Sequence, residues 1–102
     1  MTKIQKSSEA QSFGSVWDAL ADTPSEAENM KLRSALISQI VGYIKRKKLS
    51  QVEAAKLCQV TQPRMSDLIH GKISKFSLDA LINIAASAGL HVTIEIQEEA
   101  LA

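Results

Sequence analysis

The sequence predicts a mainly α domain of five helices followed by one C-terminal β-strand. Three observations carry this. Apolar residues recur at helical spacing over most of the chain, from Phe13 to Ala85. Serine or threonine stands before these stretches, and proline or glycine stands at several of the breaks between them. After Gly89 the apolar period changes from 3.6 to 2. With 102 residues, 45% of them hydrophobic, the chain suits one domain with a single core.

Residues 1–12 are polar and aperiodic and read as a tail. Phe13, Val16, Trp17 and Leu20 fall at i, i+3, i+4, i+7 and predict a short amphipathic helix, so residues 1–24 form an N-terminal tail and helix. That helix ends before Pro24, because the residue preceding proline is pushed out of the helical region. The apolar face of the short helix is open to two uses, covering the domain's own core or docking a partner protein.

Residues 25–89 form the main domain. Ser25 with Glu28 reads as a capping box for a long helix to about Lys47, with Leu32, Leu36, Ile37, Ile40, Val41 and Ile44 on its apolar face. Ser50 with Glu53 is a second capping box, opening a short helix from Gln51 to about Leu57. Ala54 and Ala55 are small enough to let another helix cross closely. Thr61 caps the next helix, with Pro63 in its first turn, where a missing N–H costs nothing. Met65, Leu68 and Ile69 are its inner face and Gly71 ends it. After the basic loop 72–76, Ser77 caps a last helix carrying Leu78, Leu81, Ile82 and Ala85, stopped by Gly89.

Leu90, Val92, Ile94 and Ile96 alternate with His91, Thr93, Glu95 and Gln97, which predicts a strand over 90–97 and a tail over 98–102. A single strand leaves its backbone groups unpaired and needs a second one. No other strand is predicted, so the expected partner is the same strand of a second copy, antiparallel about a two-fold axis. Val92, Ile94 and Ile96 are the expected dimerisation residues.

Charge narrows the function. The net charge is +1, but residues 31–76 carry ten Lys and Arg against two Asp and Glu, a net of +8 between acidic ends. A basic middle suits a polyanionic partner. Four aromatic residues are too few for a base-stacking single-strand binder. No run of about 18 apolar residues and no leader pattern is present, so a soluble cytoplasmic protein with no membrane partner is expected. Cys58 is a lone cysteine and reads as a buried small apolar residue. His70 and His91 lack metal-ligand spacing, and no catalytic constellation or phosphate-cradling glycine loop is visible. No enzyme activity, metal or cofactor is expected.

Residues 49–72 read LSQVEAAKLCQVTQPRMSDLIHGK. Ser50-Gln51-x-Glu53-Ala54-Ala55, Val60-Thr61-Gln62, Ser66-x-Leu68 and Gly71-Lys72 resemble the helix-turn-helix of the XRE, or Cro/repressor-like, regulators. The resemblance implies a five-helix lambda-repressor-like DNA-binding domain whose second motif helix enters the major groove. It implies base contacts from Gln62, Arg64 and Ser66, with Asp67 and His70 as further candidates. Gln can pair bidentately with adenine and Arg with guanine. It also implies phosphate contacts from Gln51, Thr61, Lys72, Ser74 and Lys75. Lys45 to Lys48 could touch phosphate or simply favour the end of the helix dipole. One position departs from the pattern: the turn usually carries glycine where this chain has Gln59.

The order of the elements from Phe13 to Leu36, the motif and the terminal strand is also similar to HigA-like antitoxins, which are encoded beside RelE/HigB-like toxins. The resemblance implies a homodimeric repressor on a palindromic operator, with such a toxin as candidate partner for Phe13, Val16, Trp17 and Leu20. The alternative is a stand-alone XRE-family or phage-type regulator.

Overall fold

A computed structural model describes residues 23–98. They form four α-helices: α1 (Pro24–Arg46), α2 (Gln51–Cys58), α3 (Gln62–Ile69) and α4 (Leu78–Ser87). A single 3-10 turn, Ile73–Lys75, lies between α3 and α4. The helix expected over Phe13–Leu20 lies outside the described residues. Helix α1 packs on α3, α4 and the 3-10 turn, while α2 packs on α3 and α4.

Local chemistry sets the starts. The long helix begins two residues earlier than the Ser25 capping box suggests. Thr23 is its N-cap, and its Oγ1 accepts from the Glu26 N–H at 3.1 Å. Pro24 holds Thr23 in the extended conformation that an N-cap needs, φ −135° and ψ 156°, and itself fills the first helical position. The other three starts fall where the sequence puts them. Ser50 and Glu53 satisfy each other's backbone N–H at 3.1 and 2.8 Å. These bonds hold the Glu53 carboxyl below its usual range, chiefly through the Ser50 backbone. Thr61 accepts from Arg64 N–H and Ser77 from Ala80 N–H.

All four helices end alike. A residue with positive φ follows, its N–H bonds back three residues, and the next N–H bonds back five: Lys48 with Leu49, Gln59 with Val60, Gly71 with Lys72, Gly89 with Leu90. Glycine takes this conformation freely at 71 and 89, but Lys48 and Gln59 take it with a Cβ. Gln59 has φ 59° and ψ 45°, so glutamine replaces the usual glycine without changing the turn. We expect Gln59→Gly to raise unfolding stability by about 0.5–1 kcal/mol, relief of left-handed strain being partly offset by a more flexible unfolded chain. A denaturant midpoint that falls instead would show that the Gln59 side chain holds the turn.

The core joins all four helices. Leu36, Ile37, Ile40 and Ile44 of α1 meet Ala54, Ala55 and Cys58 of α2, Met65 and Leu68 of α3, and Leu81, Ile84 and Ala85 of α4, with Phe76 among them. Burial pushes the Cys58 thiol's pKa up, as expected of a packing residue.

The C-terminal strand needs correction. Residues 90–98 form no strand in this chain. A strand is defined by its ladder, and the other described residues are almost wholly helical. The alternating set also divides. Leu90 and Val92 pack against the core, whereas Ile94 is 56% and Ile96 93% exposed.

Candidate nucleic-acid interface

Helices α2 and α3 are joined by three residues, Gln59 to Thr61. The left-handed Gln59 turns the chain sharply, so the start of α3 lies beside the start of α2. Gln51 Nε2 donates to the Gln62 carbonyl at 3.4 Å, tying the two helix starts together. Met65 and Leu68 are fully buried and fix which side of α3 faces inward. Gln51, Thr61, Gln62, Pro63 and His70 are exposed and Ser66 and Asp67 half-buried.

The three expected base readers do not share a face. At 3.6 residues per turn, Gln62 and Ser66 lie within about 40° of each other, while Arg64 lies about 200° from Gln62. Arg64 turns to the opposite flank. Its guanidinium stacks over the Phe76 ring at 4.3 Å, and Nη1 donates to the Lys75 carbonyl at 3.1 Å. The structure thus brings Gln51, Thr61, Gln62 and Ser66 together and gives Arg64 intramolecular partners.

The expected phosphate residues 72–75 follow α3 in the 3-10 turn, with Lys72, Ser74 and Lys75 exposed. Asp67 stands between the two lysines, 3.4 Å from Lys72 Nζ and 3.7 Å from Lys75 Nζ. At a surface such pairs are weak and salt-sensitive, so both ammonium groups can exchange Asp67 for a phosphate. His70 Nδ1 sits 2.7 Å from the Ser66 carbonyl. The run Lys45–Lys48 is exposed at the end of α1, with Lys47 Nζ 5.7 Å from the Tyr43 ring centre.

Sequence reasoning missed Arg33. From α1 its Nη1 donates to the carbonyls of Ile73 and Phe76, at 3.3 and 3.2 Å. Arg33 and Arg64 therefore grip the basic loop from two sides, and three of its carbonyls end on arginine. The signal was present: Arg33 stands at the head of the stripe Arg33-Ile37-Ile40-Ile44, a charge on an otherwise apolar face. The Arg33 Nε is buried without a hydrogen-bond partner, so the grip is not complete. We expect Arg33→Leu to lower stability by about 2 kcal/mol, since hydrogen bonds from a charged donor are lost. Hydrogen exchange should localise the loosening to residues 72–76; unchanged protection there would count against the grip.

Among the described residues no helix is long and apolar enough to cross a membrane, and no cluster of three His, Cys, Asp or Glu could hold a metal. A comparison with curated proteins finds no match. A comparison with protein families matches residues 19–97 to one described as a helix-turn-helix domain. That span holds all four helices and the tail up to Gln97. The chain belongs to this helix-turn-helix domain family.

Proposed function

We propose that this protein is a sequence-specific DNA-binding repressor that reads the major groove with α3. The observation that supports it best is the exposed start of α3. Gln62 and Ser66 share one stripe there, the start of α2 adjoins it, and Lys72 and Lys75 follow at the other end. Gln62 reads a base edge, with Ser66 beside it. Gln51 and Thr61 meet phosphate at helix starts, where backbone N–H groups and the dipole favour an anion. Lys72, Ser74 and Lys75 meet phosphate on the far side. Arg64 serves the complex by holding Lys75 in place; to read a guanine it would have to leave both Phe76 and the Lys75 carbonyl. The direct test is titration of labelled duplexes selected from a randomised pool. Affinity should fall steeply with salt, each phosphate contact adding about 0.9 to the logarithmic slope. Equal affinity for selected and scrambled duplexes would overturn the reading.

The repressor acts as a homodimer on a palindromic operator, with recognition helices about 34 Å apart. The support is the exposed pair Ile94 and Ile96 on a period-2 segment. Pairing with a second copy would supply the ladder that the segment needs. Ile94→Lys should convert the dimer to a monomer in analytical ultracentrifugation; wild-type protein that sediments as a monomer at tens of micromolar, roughly the weakest useful self-association, would rule the dimer out.

The resemblance to HigA-like antitoxins supports a finer proposal, that the protein neutralises a RelE/HigB-like toxin and represses their shared operon. Co-expression with any small basic reading frame encoded beside it tests it. Co-purification supports the antitoxin reading. Its failure leaves a stand-alone regulator.

A further inference from the structure

A groove of about 600 Å³ runs between α1 and the far end of α3. Met30, Ile37 and Val41 form its floor on α1, and Ile69 and Ile73 form the opposite wall. Such a groove is large enough for several apolar side chains. We propose that it is the seat of the chain's own segment Phe13–Leu20, which folds back along α1 as an antiparallel helix.

Chain length and the point of entry support this occupant. Three residues, Ala21 to Thr23, separate Leu20 from the first residue of α1. From the Leu20 Cα to the Pro24 Cα is four steps, which fully extended reach about 13–14 Å. Met30, where the groove begins, lies about 9 Å along α1 from Pro24 at 1.5 Å per residue, and a helix packed beside α1 sits about 8–10 Å to its side, so the gap to close is about 12–13 Å. A helix over residues 13–20 is about 12 Å long. Run antiparallel from Met30, it ends near Ser38, short of Val41, so it fits within the floor. Three-residue links between antiparallel helices are ordinary.

Chemistry agrees with the geometry. Phe13, Val16, Trp17 and Leu20 form one apolar stripe, and Met, Ile and Val side chains give the groove its apolar surface, with three serines, His70 and Gly71 completing the lining. The short tether raises the local concentration of the stripe to the millimolar range, far above that of a free partner. The seated segment would touch Ile69 and Ile73 and so back the end of α3 and the basic loop from behind. The inference stands without the DNA-binding proposal, because its readout needs no DNA.

Trp17 is the only tryptophan, so its fluorescence reports the seat directly in the full-length protein. In the wild type we expect blue-shifted emission and weak acrylamide quenching, both independent of protein concentration. Ser38→Arg places a charge at the half-buried rim opposite Phe13, and Leu20→Asp does so on the segment itself. Each should red-shift Trp17 and raise its quenching several-fold, with the cooperative unfolding of the four-helix core retained. Should one variant fail to fold, the other still decides the matter. Solvent-exposed Trp17 in the wild type would overturn the proposal. So would shielding that survives both substitutions. Shielding that fades on dilution would assign the groove to a second copy, and Trp17 that becomes shielded only on adding a co-expressed partner would assign the segment to that partner.

Discussion

Phe76→Ala is expected to lower the unfolding free energy by about 3–5 kcal/mol. The ring is 1% exposed and among the largest fully buried side chains. Total stability for a chain of 102 residues is roughly 5–15 kcal/mol at 0.05–0.15 kcal/mol per residue, so the variant should lose a large share of it. Packing is half of the reason. Phe76 also bears the Arg64 guanidinium on its face, a contact the substitution removes, while the backbone carbonyl at 76 stays to accept from Arg33. Its loss removes the hub between α1, α3 and the basic loop. Phe76→Leu separates the two roles, since it keeps most of the apolar volume but removes the aromatic platform. It should cost far less stability and still free Arg64. Thermal or urea unfolding followed by circular dichroism measures both. A loss under about 1 kcal/mol for Phe76→Ala, the size of an ordinary surface change, would show that the site collapses around the deletion and that the ring is not a hub.

Gln62→Ala is the second large effect, and it falls on binding. A bidentate base contact contributes about 1–3 kcal/mol of discrimination, so affinity for the selected duplex should drop about 5- to 150-fold. Affinity for a scrambled duplex should stay the same, and preference should relax at one base pair. Arg64→Ala makes the informative contrast. If Arg64 works by holding Lys75, its loss weakens selected and scrambled duplexes by the same factor. Relaxed preference at a single position in Arg64→Ala would instead show that Arg64 leaves Phe76 and reads a base. Fluorescence anisotropy with the two duplexes distinguishes the outcomes. A Gln62→Ala protein that binds both duplexes like the wild type would remove α3's first turn from the reading face.

The sequence and the fold agree at three of the four described helix starts. Ser50, Thr61 and Ser77 cap their helices because each offers an oxygen to an N–H three residues on. The long helix shows how narrow the margin is. Ser25 with Glu28 is the better-known pattern, yet Thr23 takes the cap, because Pro24 already holds Thr23 extended and has no N–H to satisfy. Helix ends were legible at Gly71 and Gly89 and less so at Lys48 and Gln59. The same hydrogen-bond pattern forms at all four, but only glycine announces it.

What the sequence determined by itself is the order of the four helices from about Ser25 to Gly89 and the identity of the motif: start signals, periodic apolar faces and the α2–α3 turn are all short-range. What the tertiary structure alone decided is where the long side chains go. Arg64 sits in the motif beside Gln62, and no local rule says that its guanidinium finds Phe76 and the Lys75 carbonyl eleven or twelve residues away. Arg33 reaches across forty residues to grip the same loop. A flexible arginine chooses among partners by which carbonyls and rings the packed helices bring within reach. Residues 90–97 follow the same logic: their alternating pattern is local, but Val92 turns to the core because α4 leads it there, and a ladder must come from another chain segment.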